Sequence, residues 1–119
     1  LQAAYDAKWG SLERAHAAGV TIAAGSDAGF LVNHGENSCE LEELVKGGFT
    51  AHEAIQAATG SAAKLLGLSD EIGALEAGKL ADVVVVAGDP LTDITVLQRL
   101  DRITHVLKDG RLVKAALPV

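Results

Sequence analysis

The stretch Gly19-Val20-Thr21-Ile22-Ala23-Ala24-Gly25-Ser26-Asp27-Ala28-Gly29 decides how the chain is read. Val20 to Ala24 is short and almost continuously apolar. Such runs suit a strand buried on both faces, as in a parallel sheet covered by helices. Upstream, Tyr5, Trp9, Leu12 and His16 recur at spacings of four, three and four, which places them on one face of a helix. Gly10 interrupts that helix at a cost of about 1 kcal/mol relative to Ala, and Gly19 is placed to end it. Helix, tight turn and buried strand make half of an α/β unit, so the expected class is α/β.

Downstream the chain is read as helical to about residue 72 and β-type beyond it. Asn37 with Glu40, and Thr50 with Glu53, have the spacing of capping boxes, in which the two side chains satisfy each other's backbone amides. The first opens a helix carrying Leu41, Leu44 and Val45, and the second a helix expected to turn Ile55 and Ala58 inward. A third, with Ala62, Leu65 and Leu66, ends at Gly67. The β-branched run Val83 to Val86 is strand-like. Thr104 to Leu107 and Arg111 to Val113 flank Asp109-Gly110, a tight-hairpin signal, with a short helix expected between Asp93 and Leu100. Residues 1–72 and 73–119 are therefore expected to be separate portions.

Composition narrows the function classes. With 49% hydrophobic residues, the 119-residue chain is expected to be globular rather than disordered. Its length suits one ordinary domain and is too short for a large barrel. A net charge of −6 argues against a nucleic-acid partner. No apolar run reaches the roughly 20 residues of a membrane span, and no signal-peptide pattern opens the chain. The single cysteine, Cys39, excludes an internal disulfide and fits a reducing, cytoplasmic setting. Methionine is absent and the chain opens on Leu1, as expected of the C-terminal piece of a longer protein.

Asp27 is the leading candidate for chemistry. A carboxylate at the C-terminal end of a buried parallel strand, between glycines that let a ligand approach, sits where α/β folds build their sites. The alternative is a turn aspartate that satisfies loop amides. His34, in the loop that follows, could reach the same pocket. Glu36 and Glu40 could be acids near it, although helix capping accounts for Glu40. His16, His52 and His105 read as structural or solvent-facing, and Cys39 as an inert thiol. No HxH or HExxH pair occurs, so no complete metal site is expected within the chain. Gly73 to Lys79 has P-loop spacing, but Leu80 stands where Ser or Thr is needed, and the segment reads as a turn.

These pieces, in order, resemble the C-terminal end of the amidohydrolase superfamily of metal-dependent hydrolases, in its imidazolonepropionase-like and prolidase- or carboxypeptidase-like branch. The resemblance rests on Gly19 to Gly29, His34-Gly35-Glu36-Asn37-Ser38, Ala54 to Thr59, Ala62 to Gly67, and Gly73 to Asp82 running into Val86 and Gly88-Asp89-Pro90. It implies the end of a (β/α)8 TIM barrel, with Val20 to Ala24 as the eighth strand, followed by strands of a small β-sandwich domain. It further implies that Asp27 is both a metal ligand, of one or two divalent ions such as zinc, and the catalytic proton shuttle. His34 becomes a substrate-side residue. The expected substrate is a small molecule or dipeptide-like amide, and the chain's partner is the rest of the barrel. The isolated chain is expected to be inactive. The competing expectation is a non-catalytic binding or assembly module, with a homo-oligomer as its variant.

Overall fold

The structure, a computed structural model, describes residues 2–30 and 32–115, with side chains given from residue 7. It opens on helix α1, Gln2–Ala17. Gly19, at φ 71, occupies the left-handed conformation that ends helices, and its amide donates to the His16 carbonyl at 2.9 Å. Of the face expected for this helix, the Tyr5 side chain lies outside the described residues. Trp9 and Leu12 pack onto Gly47. His16 stacks on Phe49, with ring centroids 4.0 Å apart.

Helices α2 (Cys39–Lys46), α3 (Ala51–Ala58) and α4 (Gly60–Leu65) follow. Thr50 and Glu53 form the expected capping box at α3. The box expected from Asn37 and Glu40 is absent. Ser38 is the N-cap of α2, in helical geometry and without a side-chain cap bond. The helix thus begins one residue later than the Asn-to-Glu spacing requires. The core is formed by Leu41, Leu44, Phe49, Ala54, Ala57 and Ile94, with Leu12, Ile22, Ala24, Val45 and Ile55 packed around it. In α3 the buried residues are Ala54 and Ala57, while the expected Ala58 is exposed and Ile55 half-buried. In α4 Ala63 is buried, and Leu65 and Leu66 are 76% and 67% exposed. The difference in α3 arises because its phase is set by contact with α2, which local periodicity does not contain.

Strand β1 (Val83–Val86), β2 (Ile103–Lys108) and β3 (Arg111–Ala115) form a three-stranded antiparallel sheet in the order β1-β2-β3. The turn at Asp109 (φ 51) and Gly110 (φ 72) has the paired left-handed geometry that matches strand twist. Asp82 fastens this turn: it accepts from the Asp109 amide at 2.8 Å and pairs with Lys108. A short 3-10 helix, Ile94–Gln98, connects β1 to β2, and its Ile94 enters the helical core.

Val20 to Ala24, expected as a buried parallel strand, has no ladder partner among the described residues. A strand exists only as half of a hydrogen-bonded pair. Here the segment is tied to the helices instead, through the Ala24 amide donating to the Ala57 carbonyl at 2.9 Å. Val20 is 52% exposed. Among the described residues, no helix is long and apolar enough to cross a membrane.

Candidate active site

The loop after residue 24 carries the candidate residues. Asp27 is exposed and has φ 47, a left-handed conformation that costs a residue with a Cβ about 1–2 kcal/mol. The following turn is closed by the Phe30 amide donating to the Asp27 carbonyl at 3.3 Å and the Gly29 amide donating to the Val32 carbonyl at 2.7 Å. Both bonds use backbone atoms. No hydrogen bond or ion pair to the Asp27 carboxylate occurs among the described residues.

His34 is exposed and folds back over this turn. Its imidazole lies so close to Gly29 that a Cβ there would meet Nε2 at 3.2 Å. Glycine at position 29, with φ 106, thus serves both the backbone geometry and the seating of the ring. Glu36 is occupied by Asn33, whose amide nitrogen donates to it at 2.8 Å.

A cleft of about 240 Å³ opens beside Asp27, lined by Ser26, Asn37, Ser38 and Glu40 together with Ala24 and Leu41. Neither Asp27 nor His34 is among its lining residues, so Ser26 is the covalent neighbour that joins the candidate carboxylate to the cleft. Glu40, set aside as a capping residue in the sequence, is half-buried here. The signal that would have found it is Ser38, one residue after Asn37 and equally able to begin the helix. The remaining histidines are placed elsewhere. His16 pairs with Glu53 at 3.0 Å, His52 is exposed on α3, and His105 contacts the Thr104 hydroxyl at 3.1 Å on β2. Cys39 is half-buried at the start of α2. Among the described residues, no group of three or more His, Cys, Asp or Glu side chains could hold a metal ion.

Residues 6–113 match the model of the Amidohydrolase family. The chain belongs to the amidohydrolase family. Ochratoxinase of Aspergillus niger is 40% identical over 116 residues, which are 96% of this chain and 24% of that protein. Imidazolonepropionase of Symbiobacterium thermophilum is 39% identical over 66 residues, 56% of this chain and 16% of that protein. Among solved structures, a Xaa-Pro dipeptidase with bound methionine in the active site superposes with a TM-score of 0.83 at 42% identity, covering 90% of this chain and 25% of that one. The A. niger ochratoxinase structure gives a TM-score of 0.85 at 39% identity, covering 96% of this chain and 26% of that one. The arrangement of helices, loop and sheet is therefore that of a piece of an amidohydrolase, and the chain spans about a quarter of the length of these relatives.

Proposed function

We propose that this chain is the C-terminal portion of a metal-dependent amidohydrolase that hydrolyses C–N bonds of the amide, peptide-like or cyclic amide kind. In this reading residues 20–24 take their place as the eighth barrel strand once the rest of the barrel is beside them. Residues 1–72 belong to the barrel and 73–119 to a small β-sandwich domain. The observation that carries the reading is the place of Asp27, exposed at the end of the apolar run on backbone at φ 47, with no hydrogen bond to its carboxylate among the described residues.

A carboxylate oxygen is a suitable ligand atom for a divalent cation such as zinc. Asp27 fits one ligand position, and the described residues do not complete a centre. The other ligands lie outside them. A divalent ion held there would supply Lewis acidity. Asp27 would act as the base that takes up a proton from the attacking water and returns it to the departing nitrogen. His34, poised over Gly29, faces the substrate.

In the complete protein, Asp27→Asn is expected to lower kcat about 100-fold or more, with circular dichroism unchanged. Activity within a few-fold of the parent removes Asp27 from the mechanism. The isolated chain is expected to lose zinc on gel filtration and to leave dipeptides intact; stoichiometric retention together with turnover would overturn the need for the rest of the barrel.

A further inference from the structure

We propose that the 3-10 helix Ile94–Gln98 is a strut through which the C-terminal sheet holds the loop of Asp27 and His34 in place, with Ile94 and Gln98 as positioning residues. The proposal rests on the amidohydrolase reading, which makes that loop the one that meets substrate. It begins from where the 3-10 helix lies. In sequence it belongs to the sheet, between β1 and β2, yet its side chains reach both the sheet and the helices.

On the sheet side, Val96 is buried so closely against Gly88 that a Cβ there would stand 2.8 Å from Val96 Cγ2. The Asp93 carboxylate caps the start of the helix, accepting from the Thr95 amide at 3.0 Å. Just beyond its end, Lys114 of β3 donates to the Leu100 carbonyl at 2.8 Å. On the helical side, Ile94 is buried in one core with Leu41 and Leu44 of α2, and Leu97 packs at its margin. Gln98 Nε2 donates to Glu42 Oε2 at 2.8 Å, while Lys46 takes the other oxygen of that carboxylate, also at 2.8 Å. Lys46 first and Gln98 second hold the Glu42 carboxyl below the ordinary carboxylate range, so the bond from Gln98 is charge-assisted.

Helix α2 passes this support to the loop. Leu41 and Glu42 stand in its first turn. That turn is continuous with the loop through the Leu41 amide on the Ser38 carbonyl at 3.1 Å and the Cys39 amide on the Glu36 carbonyl at 3.0 Å. Within the loop, the Glu36 amide donates to the Asn33 carbonyl at 3.0 Å. His34, between those two residues, lays its ring on Gly29, two positions from Asp27. Site groups keep their geometry when packed side chains and hydrogen bonds behind them are fixed. The strut supplies that backing from a portion of the chain that is remote in sequence from the loop.

The test is hydrogen–deuterium exchange of the complete protein, read by mass spectrometry, for the parent, Gln98→Glu and Gln98→Lys. Deuterium oxide is the only probe, so no substrate is needed. Gln98→Glu sets a second carboxylate against Glu42, whereas Gln98→Lys restores a donor to it. The loop offers amides to follow, since those of Gly29, Phe30 and Glu36 are each bonded to a loop carbonyl. In Gln98→Glu the peptide spanning 27–38 is expected to exchange at least about 3-fold faster, part of the worth of a hydrogen bond to a charged group. In Gln98→Lys it is expected to exchange at the parental rate, and β2 and β3 are expected to keep parental rates in both variants. Acceleration confined to α2, acceleration shared equally by β2 and β3, no acceleration, or failure of Gln98→Lys to restore the loop overturns the strut. The hydrolase reading fails on a different measurement, the turnover of Asp27→Asn. A strut that fails while Asp27 remains essential therefore leaves that reading standing.

Discussion

Glu53 accepts hydrogen bonds from the Thr50 amide and hydroxyl through Oε2, each at 2.8 Å, and meets His16 Nε2 at 3.0 Å through Oε1. The Thr50 amide, then the Thr50 hydroxyl and then His16 pull its carboxyl down from an ordinary value of 4.5 to about 2. A depressed carboxyl stabilises the fold fully above its unfolded value and loses that contribution as pH falls toward the folded one. Protection of the α3 amides against hydrogen exchange is accordingly expected to weaken between about pH 4.5 and 2. Asp82, Asp89 and Asp93 are lowered by their own hydrogen bonds and contribute in the same acid direction. The comparison that isolates Glu53 is therefore parent against Glu53→Gln at each pH. The variant's deficit is expected to be present at neutral pH and to vanish at the acid end. A deficit independent of pH would show that ionisation of Glu53 is irrelevant to the cap. Removing the other half of the box, Thr50→Ala, is expected to cost about 1 kcal/mol in a denaturant titration.

Between elements, glycines decide how closely helices approach. At Gly47 the backbone is ordinary (φ −82), but a Cβ would stand 2.5 Å from Leu12 Cδ2 and 3.1 Å from Trp9 Cε3. Gly47→Ala is thus an overpacking change at the contact of α1 with the end of α2, expected to cost about 1–3 kcal/mol. At Gly67 a Cβ meets nothing within 4 Å, and only the left-handed φ of 71 is at stake, worth about 1–2 kcal/mol. Truncating Leu12 to Ala in the Gly47→Ala background is expected to relieve the first variant, whereas in Gly67→Ala it brings only its own cost. Additive midpoint shifts in both backgrounds would refute the steric account. The same division between local and long-range causes explains what the sequence revealed. The α3 cap, the Asp109-Gly110 hairpin and the end of α1 at Gly19 depend on residues within a few positions, and each was legible. The inward face of α3 depends on partners distant in sequence, and it was misread by one position. Val20 to Ala24 needs neighbouring strands to be a strand, and the described residues contain none for it. Around the candidate site, the turn at Asp27 and Gly29 was legible from its glycine, whereas the place of Glu40 beside the cleft was concealed by a plausible cap that the fold does not use.

For the molecule as a whole, the accessible surface is 8169 Å², against about 6,100 Å² for a folded monomer of 12.2 kDa. The radius of gyration is 15.4 Å, where about 13.5 Å is usual for this length. The excess is visible in the side chains: Leu75 is 79% exposed, Leu65 76% and Leu66 67%, and Val84 and Leu112 stand 55% and 53% open on the sheet. Among the described residues, strands β1 and β3 each leave one edge unpaired. Apolar faces beside open edges are templates for association. The large buried side chains of the helical core are Leu41, Leu44, Phe49 and Ile94, with Ala54 and Ala57 beside them, so it has little stabilisation to set against chain entropy. The isolated chain is therefore expected to bind 8-anilinonaphthalene-1-sulfonate, to melt over a broad range and to scatter light increasingly with concentration. Adding the remaining portion of the amidohydrolase in trans is expected to suppress dye binding and sharpen the melt, because the same surfaces become buried. A monomeric or closed oligomeric isolated chain with a sharp, dye-free transition would instead establish an autonomous module, and the argument from exposed surface to a missing barrel would fail with it.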